Sequence, residues 1–211
     1  MISLRIKDNK ATVEGYVNVV ERDSDILSEG GKRFIERIMQ GAFARSLRRS
    51  KTVKVLLNHD NSHEIASTES GTAELREDAV GLWCRAVITD EETVKKAKEG
   101  KLRGWSFGFV PLEQHETEED GILHRAVKNL ILREVSILDD RKVPAYPANL
   151  IMTRDLEDGQ TMQIRMVEDE IIEENADPGG VADTSDKDEA GDPANRNYLF
   201  RNRLMRARIR K

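Results

Sequence analysis

Val80-Gly81-Leu82-Trp83-Cys84-Arg85-Ala86-Val87-Ile88 carries Val80, Leu82, Cys84, Ala86 and Ile88 at every second position. Side chains of a strand alternate between its two faces, so this spacing predicts a half-buried β-strand with those five on one side. Working outward, residues 64–88 predict two or three antiparallel strands. Residues 52–58, Thr-Val-Lys-Val-Leu-Leu-Asn, predict another that ends at His59. Residues 2–7 and 11–20 are rich in β-branched residues and flank Asp8-Asn9, which is turn chemistry. Downstream, strands are expected at 103–112 and 127–138, joined by a polar, acidic loop around 113–121. Two helices interrupt the strands. One is predicted from Phe34, Ile35, Ile38, Met39, Ala42, Phe43 and Leu47, at three- and four-residue intervals, with a break at Gly41. The other starts at Thr89, with Thr89 and Glu92 at capping-box spacing, and stops at Gly100. Many strands, few helices and no βαβ alternation predict a mainly antiparallel α+β or barrel-like domain. No glycine-rich phosphate loop accompanies it.

The 211 residues suffice for one domain with a core plus additional segments. The mean hydropathy of -0.60 implies that much of the chain is solvated. A single cysteine, Cys84, excludes an internal disulfide and fits a reducing compartment. No apolar run reaches the roughly 18–20 residues that span a bilayer, and the alternating start of the chain reads as a strand and not as a signal peptide. Charge divides the chain. Residues 1–154 hold 25 basic and 25 acidic side chains, residues 155–195 hold 2 and 14, and residues 196–211 hold 7 and none. The expected organisation is a folded domain over 1–154, an acidic and largely disordered linker over 155–195, and a basic, helical tip over 196–211.

Three residues in the body stand out chemically. Ser106 lies in Gly104-Trp105-Ser106-Phe107-Gly108-Phe109, where alternation turns its hydroxyl away from the three aromatics. The flanking glycines permit close approach of another group, as a nucleophile requires. His59 sits at the end of an apolar strand, where a rigid element can present a general base. Glu134 interrupts Leu130-Ile131-Leu132-Arg133-Glu134-Val135-Ser136-Ile137-Leu138, and a carboxylate so placed needs a partner. Either an arginine such as Arg133 forms a structural ion pair with it, or it orients His59. A competing use of the first cluster is a metal site built from His59, Asp60, His63 and Glu64. However, residues 58–62 read as a turn, where histidines four apart do not share a helix face.

These segments together resemble the prohead (capsid maturation) serine protease family of tailed phages and prophages. The matching pieces are Gln40-Gly41-Ala42-Phe43, Leu57-Asn58-His59-Asp60, Gly81-Leu82, Ser106-Phe107-Gly108-Phe109, and Glu134-Val135-Ser136-Ile137-Leu138 followed by Pro144-Ala145-Tyr146-Pro147. They occur in the family's order across roughly residues 10–152. The resemblance implies a β-barrel with flanking helices, similar to herpesvirus assemblin. It also implies a serine endopeptidase that cuts capsid or scaffold precursors inside the immature prohead, in the host bacterial cytoplasm. Ser106 then matches the nucleophile, His59 the base and Glu134 the third member, and no cofactor is implied. The departures are Asp139-Asp140-Arg141-Lys142-Val143 before Pro144, and Trp105 directly before the serine.

The resemblance further implies the major capsid protein precursor or a scaffold as substrate and self-cleavage in an accessible linker; by its charge the basic tip either docks on an acidic capsid or scaffold surface or is a solvated tail without a role. It admits a homodimer, because assemblin folds often dimerise. Nucleic acid is not the expected partner of the tip, since its seven charges come without a nucleic-acid fold motif. Two other functions fit the same features: a non-enzymatic capsid assembly or scaffolding protein, and a metal-dependent hydrolase using His59 and His63.

Overall fold

Strand β1 (Ile2–Lys7) and strand β2 (Lys10–Val19) form a hairpin. Its turn is Asp8-Asn9, with φ of 48° and 57°. Asp and Asn tolerate this left-handed region better than other non-glycine residues, and such turns match the twist of the flanking strands. This computed structural model describes residues 2–29, 31–142, 152–168 and 171–173, all within one unit, Met1–Ala176. The motif Pro144-Ala145-Tyr146-Pro147, most of the expected linker and the whole basic tip lie outside the described residues.

Next come β3 (Leu27–Glu29) and β4 (Lys32–Ile38), where the first half of the expected helix is a strand instead. Phe34, Glu36 and Ile38 are buried in alternation. Apolar residues at 34, 35, 38 and 39 fit a helical period, but non-local contacts decide the outcome. Residues 34–38 pair in parallel with 123–127, and Glu36 meets Arg165 from far along the chain. The helix that does form, α1 (Ala42–Arg49), follows Gly41, whose φ is 86°. It has no side-chain cap of its own. The Glu77 carboxylate supplies one from outside, accepting from the Gly41 and Ala44 amides at 2.5 Å each.

Strands β5 (Lys54–Leu57), β6 (Glu64–Ser67), β7 (Ala73–Glu77) and β8 (Gly81–Ile88) follow as antiparallel partners, β5 with β6 and β7 with β8. Leu82, Cys84, Ala86 and Ile88 share the buried face, whereas Val80 precedes the strand and is exposed. Helix α2 (Glu91–Lys98) is capped by Asp90 and not by Thr89: Asp90 Oδ2 accepts from the Thr93 amide at 2.8 Å. Gly100, with φ of 62°, follows its C-terminus as expected.

Strands β9 (Leu102–Glu119) and β10 (Ile122–Asp139) form a long hairpin around Asp120-Gly121, both with positive φ. The expected acidic loop at 113–121 is thus paired ribbon, apart from that turn. Residues 112–120 are exposed, so their polarity records solvent contact and not a missing strand. After a 3₁₀ turn (Asp140–Lys142) come β11 (Met152–Asp155), β12 (Thr161–Glu168) and β13 (Ile171–Glu173). The last two lie in the stretch expected to be disordered linker. The charge boundary at 154 therefore does not mark the end of regular structure.

The strands assemble as one sheet ordered β13-β1-β2-β8-β7 and another ordered β11-β12-β9-β10-β4-β3, with β5 also pairing β10 and β6 pairing β5. This is a mixed, largely antiparallel α+β fold. Among the described residues neither sheet closes on itself, so the expected barrel is not formed by these pairings. One apolar cluster joins both sheets, including Val13, Cys84, Trp105, Phe107, Leu132 and Val135. Phe43 of α1 meets Phe107 edge-on at 5.5 Å between centroids, within the favourable range for aromatic pairs. No helix among the described residues is long and apolar enough to cross a membrane.

Candidate active site

The site begins where β5 ends. The strand runs parallel to β10, from Lys54 opposite Glu134 to Leu57 opposite Ile137. The chain then turns through Asn58 and His59, with φ of 54° and 61°. For a non-glycine residue the left-handed region costs on the order of 1 kcal/mol, so the turn needs support. Hydrogen bonds supply it: the Asn58 amide donates to Ile137 O at 2.9 Å, and the Asp139 amide donates to Asn58 Oδ1 at 3.0 Å. The His59 amide donates to Ser136 Oγ at 3.2 Å. Every one of these partners lies on β10, so the imidazole is fixed relative to that strand.

Asp139 anchors the same turn from its other side. It is fully buried and pairs with Lys96 of α2 at 2.6 Å and with Arg141 at 3.0 Å. Burial pushes the Asp139 carboxyl up, but the bonds from Lys96, Asn58 and the Arg141 amide, with the Arg141 charge, outweigh it. The net result holds the group below its ordinary range.

A β-bulge decides which β10 side chains reach this place. Leu132 stands opposite Phe109, and the next paired residue, Glu134, stands opposite Gly108. Arg133 is the extra residue of the bulge. Without it, Glu134 would share the face of Leu132, because strand side chains repeat every two residues. With it, Val135 and Ile137 pair with Phe107 and Trp105 in the apolar core, while Glu134 and Ser136 pair with Gly108 and Ser106 on the other face.

The three candidate residues consequently meet in a line. His59 Nε2 is 2.7 Å from Ser106 Oγ, and His59 Nδ1 is 2.6 Å from Glu134 Oε1. The Ser136 hydroxyl donates to Glu134 Oε2 at 2.5 Å. An ionised carboxylate only accepts, so with Glu134 in that form Nδ1 carries a hydrogen toward it, and in the tautomer with its one hydrogen there Nε2 is the acceptor for the serine. Ser106 and Ser136 are fully buried, and His59 and Glu134 are 3% and 4% exposed. The site also borders a cleft of about 770 Å³ lined by His59, Asp60, Asn61, His63, Glu92 and Arg141. Such an arrangement can move a proton from a hydroxyl to an imidazole whose charged form a carboxylate stabilises, the chemistry of nucleophilic acyl transfer.

Of the two partners expected for Glu134, His59 is the one it meets. Arg133 reaches Asp158 at 2.6 Å and also Gln160. His63 pairs with Asp90 at 3.2 Å, and His115 and His124 lie on the β9–β10 ribbon. No group of three or more His, Cys, Asp or Glu side chains among the described residues is placed to hold a metal. His59 directs its two ring nitrogens at Glu134 and Ser106 and does not join His63. Three contributors escaped the reading of the sequence. Ser136 carried a signal, a polar residue two positions from Glu134 in an apolar strand. Asp139 and Arg165 carried none, because Lys96 and Asn58, which meet Asp139, and Glu36, which meets Arg165, are distant from them in sequence.

A family model described as caudovirus prohead serine protease matches residues 1–162. No curated protein and no solved structure matches the chain significantly.

Proposed function

Because the chain belongs to the caudovirus prohead serine protease family, we propose that it cleaves capsid or scaffold precursor proteins inside the immature prohead, with Ser106 as nucleophile, His59 as base and Glu134 as the carboxylate that orients it. The observation that carries this reading is the hydrogen-bonded line from Ser106 Oγ through both His59 nitrogens to Glu134. His59 Nε2 takes the Ser106 proton as Oγ attacks the carbonyl carbon of a peptide bond. The tetrahedral intermediate collapses as the protonated imidazole gives that proton to the departing amine, leaving an ester on Ser106. Water, deprotonated by His59, then attacks the ester, and the acid product leaves with the serine hydroxyl restored. Glu134 holds the Nδ1 hydrogen throughout and stabilises the imidazolium without taking its proton.

Co-expression of the chain with its capsid precursor tests the reading. Wild type shortens the precursor, whereas Ser106→Ala and His59→Ala each leave it full length while the protein itself stays folded. Self-cleavage in the C-terminal stretch belongs to the same reading, and the shorter chain it produces disappears with Ser106→Ala. A precursor still trimmed by Ser106→Ala sinks the proposal. A shell that assembles normally around that uncleaved precursor while requiring the chain would favour a scaffolding role.

A further inference from the structure

One strand of the second sheet lies where it obstructs the chemistry just described. β12 covers the edge of β9 that faces away from β10, with Arg165 opposite Phe107 and Met166 opposite Ser106. Ser106 Oγ is 2.7 Å from the Arg165 carbonyl oxygen as well as 2.7 Å from His59 Nε2. A hydroxyl has one hydrogen, and here it faces two acceptors. While it is given to Arg165, it is not available to His59.

The hold of β12 on the sheet is local and polar at its centre. Its buried apolar residues, Met162 and Ile164, form a small cluster with Val110, apart from the main core. The Arg165 side chain reaches the opposite face from Ser106, where its Nε and Nη2 donate to the two Glu36 carboxylate oxygens at 2.7 and 2.8 Å. Its guanidinium lies 5.2 Å from the Phe109 ring centroid. Both partners of this pair are buried, and Glu36 is a carboxylate that only a cation can satisfy in this way. The family match ends at residue 162, so it includes β9, Glu36 and Ser106 but only the start of β12.

We propose that the β9 edge now held by β12 is the docking site for a substrate strand, and that Glu36 receives a basic side chain of that strand near the Phe109 ring, where Arg165 now lies. The proposal rests on the protease reading above and specifies its substrate: an extended peptide with Arg or Lys at the residue whose carbonyl reaches Ser106. Strand addition supplies the affinity through main-chain hydrogen bonds, and the buried carboxylate supplies the selection. β12 is then an internal occupant that must leave before cleavage begins.

The test uses the full chain carrying Ser106→Ala, which removes turnover from the binding measurement. The probes are the synthetic octapeptide Thr-Met-Gln-Ile-Arg-Met-Val-Glu and its twin with Gln for Arg. The arginine peptide is expected to bind roughly tenfold or more tightly than its twin, as loss of a charged partner to a buried carboxylate requires, and to speed amide exchange in residues 163–168. Arg165→Gln in the same chain should tighten binding of the arginine peptide, because the internal competitor is weakened. With active protein, Glu36→Gln should bring the rates for Arg- and Gln-containing peptides together. The Gln peptide serves there as the measure of folded enzyme. Equal binding of the two peptides, or unchanged exchange in β12, overturns the proposal. Selective binding without cleavage by the wild type would overturn the protease reading and leave the docking site standing; cleavage indifferent to Arg or Gln would do the reverse.

Discussion

Glu134 Oε1 stands 2.6 Å from the point where a Cβ on residue 108 would be, so the carboxylate occupies space that only glycine leaves open. Met162 Sδ crowds the same point at 2.5 Å. Gly108→Ala must therefore displace one or both. The flexible Met162 can yield, but Glu134 is tied to His59 and Ser136. Expected is a loss of about 1–3 kcal/mol in stability, as for overpacking elsewhere, with a fall in kcat beyond what the unfolded fraction explains. Denaturant midpoints and precursor cleavage, compared on the same samples, check it.

Glu134→Gln keeps the size of the side chain but removes its charge. An amide offers one acceptor where the carboxylate accepts from both His59 and Ser136. The imidazole loses the partner that fixes its tautomer, and turnover should drop about 10³-fold or more with the thermal midpoint little changed. If stability collapses and residual activity follows the folded fraction, Glu134 is structural.

Ser136→Ala strips a hydrogen bond from Glu134 and an acceptor from the His59 amide. A buried amide left unpaired costs about 1–3 kcal/mol. Because Ser136 acts through Glu134 and the turn, kcat should fall while KM stays near its wild-type value. A change confined to KM would mean that Ser136 contacts substrate instead.

Asp139 links the site to pH. Its folded value lies below the ordinary 3.8, so its contribution to stability is present above that value and is lost as pH falls through the depressed one. The stability difference between wild type and Asp139→Asn should be greatest near neutrality and shrink on acidification below the ordinary carboxylate range. Unfolding curves taken at a series of pH values test this, and a difference that does not vary with pH would contradict it.

Local pattern was enough to read most strands, the Asp8-Asn9 turn and the second helix, since period-two alternation and turn residues are written in neighbouring positions. It misled at Phe34-Ile35 and Ile38-Met39, where the spacing suits a helix. The reason residues 34–38 form a strand is the pairing with 123–127 and the contact of Glu36 with Arg165. At 161–168 a strand pairs with β9, although the segment falls inside the 155–195 block grouped by its overall acidity; Arg165 and Glu168 are its only charges. For the candidate site, alternation and motif order singled out Ser106, His59 and Glu134, and the structure brings those side chains together. Ser136 could not be assigned a contact, because its place opposite Ser106 depends on cross-strand register.

The bulge at Arg133 works like a shift of reading frame within β10. Leu130 and Leu132, just before it, are in one phase with respect to the core, and Val135 and Ile137, just after it, are in the other. Deleting one residue there would turn Val135 and Ile137 toward the imidazole and carry Glu134 and Ser136 into the apolar interior. Every side chain of the motif would still be present, yet none would face its partner. The length of this segment is thus a requirement on a par with its chemistry, and it should accept substitutions at many positions more readily than the loss or gain of one residue.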